Sequence, residues 1–132
     1  MHVKIAIAVY GAPYSSQASS SALRFAETAV AMGHSIVRVF FYHDAVHVAN
    51  DFIVAPQDEV DVAASWVELA QRTGTELAVC VAASLKRGVV DAAEAARQEK
   101  ARGDLRAPFR IVGLGQLIEA VGESDRLVTF AA

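Results

Sequence analysis

Apolar runs of strand length alternate, along the whole chain, with stretches whose apolar positions recur at helical spacing. Val3-Lys-Ile-Ala-Ile-Ala-Val9 reads as a strand buried on both faces, because such strands carry nearly continuous apolar runs. After a Gly-Pro-Ser-rich loop, Ala22, Phe25, Ala26, Ala29 and Val30 mark one face of a helix that Gly33 closes. Ser35-Ile-Val-Arg-Val-Phe-Phe41, rich in β-branched and aromatic residues, predicts a second strand. Tyr42 to Asp58 shows no clean period and is long for a connection, which points to a lid or a contact surface. Asp58 is placed to cap a helix with Val62, Ala63, Trp66, Val67 and Ala70 inward and Asp61, Glu68 and Arg72 outward, ended by Gly74. Thr75 to Val81 predicts a third strand, Ala82 to Arg87 a helix start, Asp91 to Lys100 a helix, and Phe109 to Val112 a fourth strand. Gly113-Leu-Gly115 opens a last helix carrying Leu114, Leu117, Ile118 and Val121, and Arg126 to Phe130 is a terminal strand. This alternation needs right-handed crossovers, and it predicts an α/β fold: one doubly wound, mainly parallel five-stranded sheet with helices on both faces.

Composition supports that frame. A chain of 132 residues is one ordinary domain, here residues 1–132, and buries roughly two-thirds of its extended-chain surface. With 54% hydrophobic but only 8% aromatic residues, the core is built from Val, Ala, Leu and Ile. A net charge of -3 leaves no basic footprint, so direct nucleic-acid binding is not expected. The apolar runs fall far short of the roughly 20 residues that cross a bilayer, so no membrane contact is expected. One cysteine makes no internal disulfide, and no signal-peptide pattern is present, so a reducing, cytoplasmic setting is expected.

That cysteine is Cys80, at the edge where the third strand turns into a helix start. Ligands of open parallel sheets meet reacting groups at such edges. The thiolate is the nucleophilic form of cysteine, and activation must come from the fold. A helix N-terminus contributes from about 0.3 to about 2 kcal/mol toward a nearby anion. The backbone N–H groups around Ala82, Ala83 and Ser84 are the candidate donors, with Lys86 and Arg87 as candidate cations. Free cysteines are also among the most buried residue types, so Cys80 reads equally well as a small core residue.

Four blocks bear on this choice: Gly11-Ala-Pro-Tyr-Ser-Ser-Gln-Ala-Ser19, Val39-Phe-Phe-Tyr-His-Asp-Ala-Val-His-Val-Ala-Asn50, Cys80-Val-Ala-Ala-Ser-Leu-Lys-Arg-Gly-Val-Val-Asp91 and Gly113-Leu-Gly-Gln-Leu-Ile-Glu-Ala120. In that order, and with Asp125-Arg126 before the last strand, the chain closely resembles the DsrE/TusD family of sulfur-relay proteins. The resemblance implies a DsrE-like α/β domain and a sulfurtransferase in which Cys80 accepts sulfane sulfur as a persulfide and passes it to a partner protein's thiol. It also implies assembly with two related smaller subunits into a heterohexamer, an upstream sulfur donor and a downstream sulfur acceptor, and no cofactor. In one branch the sulfur reaches 2-thiouridine at the tRNA wobble position, which is the expectation here; in another the relay serves dissimilatory sulfur oxidation. A thiol that visiting sulfur atoms must reach is expected in a shallow cleft.

The remaining motifs are weighed against that reading. The Ser-rich loop after the first strand has the chemistry to hold a phosphate in a flavodoxin-like module, but it lacks a P-loop lysine. Within the resemblance, Tyr14, Ser15 and Gln17 are instead expected to line the cleft. His43-Asp-Ala-Val-His47 is superficially like a zinc-binding helix motif, yet it lies in a stretch without helical period, and no metal is expected. His43 is expected near the thiol, because ends of adjacent parallel strands share an edge. Phe41, Tyr42, Val46 and Phe52 concentrate apolar bulk around one connection and are expected at a subunit interface.

Overall fold

The computed structural model describes residues 1–131. Five parallel strands, β1 (Lys4–Val9), β2 (Ser35–Phe41), β3 (Glu76–Cys80), β4 (Arg110–Val112) and β5 (Arg126–Phe130), lie in the order β4-β3-β2-β1-β5. The connecting helices are α1 (Ala18–Ala31), α2 (Val62–Thr73), α3 (Val81–Lys86), α4 (Ala92–Arg97) and α5 (Gly115–Glu123). The first three crossovers step one way from β1 and the last steps back to its other side, so right-handed connections put α1 to α4 on one face and α5 on the other.

Side chains bear this out. Trp66 of α2 meets Phe41 edge-on at 5.5 Å, and Phe25 of α1 meets Phe130 at 5.7 Å. Phe130, Val9 and Phe41 share a rank across the sheet, so both helices cover that face. Arg38, three residues before Phe41, points the opposite way. It is buried and donates to Glu76 Oε2 at 2.5 and 2.8 Å and to Gln116 O of α5 at 2.9 Å, clamping α5 to the sheet.

The larger core lies under α1 and α2, where Ile7, Val9, Val39, Phe41 and Val79 meet Ala22, Ala26, Trp66 and Leu69. The Trp66 indole N–H, fully buried, donates to Ser19 Oγ at 3.1 Å. On the other face α5 is the lone helix among the described residues. It turns Leu117 and Ala120 inward and leaves Leu114, Ile118 and Val121 at least two-fifths exposed, beside an exposed Leu127 on β5.

Several local readings change. Asp61, not Asp58, caps α2: its Oδ1 accepts from the Ala64 N–H at 2.9 Å, and the helix ends at Gly74 with φ 79°. The stretch after β2 is not structureless. His43–Ala49 forms a 3-10 helix, whose period of about three residues matches neither strand nor α-helix templates. It turns Ala45, Val46, Val48 and Ala49 into the core, mainly against α3 and β3. Phe41 and Val46 are therefore fully buried core residues and not interface residues. Tyr42 is half-buried, and Phe52, 54% exposed, remains at the surface.

Candidate functional site

Cys80 is the last residue of β3 and the N-cap residue of α3, with extended backbone at φ -65° and ψ 128°. A strand that ends at the carboxyl edge and turns at once into a helix leaves the helix's first N–H groups without intrahelical acceptors. The thiol makes no capping hydrogen bond to them.

Register fixes the direction of the thiol. Cys80 pairs with Val112 of β4, and Ala78, two residues earlier, pairs with Phe40 of β2. Cys80 therefore shares the face of Arg38 and Phe40, which is the α5 face. One step past the last ladder pair the same register sets Tyr42 beside it. Tyr42 belongs to a ring cluster: its centroid is 4.4 Å from that of His43, 5.7 Å from Tyr10 and 6.3 Å from Phe40. His43 is exposed and holds φ 49°, a left-handed conformation unfavourable for a residue with a Cβ. It thus joins the thiol's surroundings through Tyr42.

Cys80 is only 4% exposed, so the expected open cleft is not present in the isolated chain. Its short side chain belongs to the buried core cluster, with Val112 as its ladder partner and Tyr42 one step past the ladder on the other side. None of the four main surface cavities among the described residues has Cys80 in its wall.

The supporting residues divide. Arg87 does not turn to the sulfur. Its Nε donates to Asp44 Oδ1 at 2.8 Å and its Nη1 to Ala83 O at 3.2 Å, so its charge is spent on joining α3 to the 3-10 helix. That hydrogen bond from Arg87 holds the Asp44 carboxyl below its ordinary range. Lys86 and Ala82 are exposed, and Ala83 is buried. Ser84 is completely buried, and its Oγ meets no hydrogen-bond partner among the described residues. An orphan hydroxyl of this kind costs about 1–3 kcal/mol, and here it lies one turn past the cysteine.

The loop after β1 works elsewhere. Tyr14, at φ 68°, accepts from the Val62 N–H at 3.1 Å and donates to Val60 O at 3.3 Å, bracing the start of α2 on the face away from the thiol. Tyr14 is thus not a wall of the thiol's surroundings, and Ser15 and Gln17 are simply exposed. Two of the hydroxyls that suggested phosphate are in use: Ser16 Oγ donates to Ala12 O and accepts from Ala18 N, and Ser19 accepts from Trp66. Among the described residues no group of three or more His, Cys, Asp or Glu side chains, the pair His43 and His47 included, is placed to hold a metal ion.

Sequence reasoning missed the exposed apolar pair Val81 and Leu85 on α3, and the cavity of about 510 Å³ that Leu85 shares with Phe52. The i, i+4 spacing of the pair was a usable signal; the cavity, formed by segments far apart in the chain, left none.

Residues 3–130 match the model of the DsrE/DsrF-like family. The chain is 50% identical over 128 residues to a sulfurtransferase TusD homolog of Pseudomonas aeruginosa, covering 97% of each chain. It is 45% identical to a putative sulfurtransferase DsrE of Allochromatium vinosum, covering 97% of this chain and 98% of that one. It is 46% identical to the sulfurtransferase TusD of Serratia proteamaculans over 94% and 96% of the two chains. The crystal structure of the ychN protein from E. coli superposes with a TM-score of 0.77 at 22% identity, covering 97% of this chain and 99% of that one, a likeness of fold.

Proposed function

The chain belongs to the DsrE/DsrF-like family, and on that premise we propose that it is a sulfurtransferase whose Cys80 carries sulfur between proteins. The observation that carries the reading is the placement of the lone thiol at the carboxyl edge of a parallel sheet, at the junction with a helix start. The Cys80 thiolate attacks the outer sulfur of a donor persulfide. A new S–S bond forms at Cys80, the donor's S–S bond breaks, and its electron pair leaves with the donor thiolate. In the second half an acceptor thiolate attacks the sulfane sulfur now on Cys80, and Cys80 leaves as thiolate. Neither half consumes an oxidant or a reductant.

Burial of the thiol shapes the proposal. Both transfers need Tyr42 or the start of α3 to give way when a partner docks, so specificity lies in docking. The exposed strip of Leu114, Ile118 and Val121 on α5, with Leu127, supports association with related subunits, two smaller ones in a heterohexamer, because so continuous an apolar surface favours cover. The relay's end is 2-thiouridine of tRNA, a reading supported by TusD-named relatives; a relay in sulfur oxidation is the second reading, favoured by the DsrE-named relative at 45% identity. The protein itself touches no nucleic acid, and among the described residues no helix is long and apolar enough to cross a membrane.

Incubation with a persulfide donor followed by intact-mass measurement tests the chemistry. One added sulfur atom is expected on the native chain and none on Cys80→Ser. Labelling of the serine variant would refute Cys80 as carrier. Assay of tRNA 2-thiouridine in cells lacking the gene separates the two ends of the relay.

A further inference from the structure

Past the far end of α3 from Cys80 lies a cavity of about 510 Å³, the size of a small-ligand or side-chain pocket. Phe52, Leu85 and Val90 supply its apolar wall, and Lys100 and Arg102 stand at its side. Neither cation has an ion-pair partner among the described residues; Arg102 instead lies over the Phe52 ring at 4.6 Å. The one acid in the wall, Asp104, already accepts from the Val90 N–H at 2.8 Å. On a chain of net charge -3 this is a local excess of free positive charge around apolar surface. The walls are firmly built: Asp51 N–H donates to Asp104 O at 2.7 Å and Arg106 N–H to Ala49 O at 2.8 Å.

The cavity is continuous with the thiol's helix. Val81, next to Cys80, and Leu85, one turn on, are exposed on one side of α3 and lead into it. The six residues of α3 span about 9 Å, which about three extended residues cover.

We propose that this cavity anchors the sulfur-accepting protein by an apolar side chain flanked by a carboxylate, placed about three residues from the accepting cysteine. The proposal rests on the sulfur-transfer reading and names the recognition element of that reading's acceptor. A protein segment fits better than a small anion because the apolar track along Val81 and Leu85 continues outside the cavity toward Cys80.

Two synthetic peptides, Gly-Cys-Gly-Gly-Leu-Glu-Gly and its Gln counterpart, both amidated, serve as probes, with glutathione as a small-thiol control. Cys80 is first loaded with sulfur and checked by intact mass. Transfer to the Glu peptide is expected about three- to five-fold faster than to the Gln peptide, the worth of one exposed ion pair. Arg102→Glu and Leu85→Asp, both at exposed positions, should each abolish that advantage and leave transfer to glutathione unchanged. Equal rates for the two peptides, or variants that keep the difference, overturn the proposal, as does a small anion retained in the cavity on native mass spectrometry. Should Cys80 fail to load, the sulfur-transfer reading falls instead. Fluorescence anisotropy of the labelled peptides with the native chain and with Arg102→Glu then decides the cavity separately: preferential binding of the Glu peptide, lost in the variant, upholds it, and its absence overturns it.

Discussion

The Arg87 guanidinium donates to Asp44 at 2.8 Å and so ties the end of the cysteine's helix to the turn that follows β2. Sequence neighbours of Cys80 are thereby held by a residue 43 positions away. The hydrogen bond keeps the Asp44 carboxyl ionised below its ordinary value of 3.8, so the tether's contribution to stability is complete above that value and is lost as pH falls through the depressed one. Asp44→Asn removes this proton linkage. The thermal midpoint of the native chain should therefore approach that of the variant as pH falls below about 4, the ordinary carboxylate range, and stay separated from it at neutral pH. A gap that stays constant through the acid range would sink the idea.

Ser84 Oγ is buried without a partner among the described residues, so removing it deletes no hydrogen bond. Ser84→Ala should leave the denaturant midpoint unchanged or raise stability by up to about 1 kcal/mol. If the hydroxyl serves the loaded form, sulfur on Cys80 of the variant will also be lost to buffer faster than on the native chain. A clear loss of stability would reveal a partner for the hydroxyl, and an unaltered lifetime would leave Ser84 no part in holding the sulfur.

The strands were legible because each is a short apolar run, and the ends of α1 and α2 because Gly33 and Gly74 take positive φ, which few other residues adopt cheaply. The choice between Asp58 and Asp61 as cap was not, since both have the right oxygen. What decides it is tertiary: Tyr14 from the loop after β1 takes the Val62 N–H and fixes where the helix begins. The 3-10 helix escaped notice because its buried positions, 45, 46, 48 and 49, fit no two-state period. At the site, the edge position of Cys80 follows from sequence order alone. Its face and its burial do not, because they depend on pairing with Val112 and Phe41's neighbour Tyr42, partners chosen by the register of the whole sheet. The tie of Arg87 to Asp44 was not legible for a related reason: proximity in sequence to a thiol says nothing about a carboxylate brought in by the segment after another strand.

Gly103 is fixed by contact and not by its dihedral angles. A Cβ there would come within 2.6 Å of Asp91 C and 2.8 Å of Ala92 N, at the cap of α4, where backbone has little room to retreat. Gly103→Ala must displace either the α4 cap, in which Asp91 accepts from Glu94 N–H at 2.8 Å, or the 102–104 wall of the cavity. The expected cost is about 1–3 kcal/mol, as for other overpacking changes, with increased hydrogen exchange confined to residues 90–106. A variant of native stability and unaltered exchange would show that the close approach is relieved without strain.

Ser19 and Trp66 bind α1 to α2 inside the main core, and the pair gives the sharpest stability forecast. The indole N–H has one acceptor, Ser19 Oγ at 3.1 Å, and both residues are almost wholly excluded from solvent. Ser19→Ala leaves that N–H buried and unpaired, at a cost of about 1–3 kcal/mol, while removing only one oxygen of volume. Trp66→Phe deletes the donor as well as part of the ring, and adds a cavity term to its own loss. Because the hydrogen bond is already absent in Trp66→Phe, adding Ser19→Ala to it should cost less than the serine change costs alone. A double-mutant cycle by urea denaturation measures the difference, and the lone tryptophan's emission reports the unpaired indole in Ser19→Ala directly. Strict additivity of the two changes would mean that the hydrogen bond contributes nothing and that packing alone holds the two helices together.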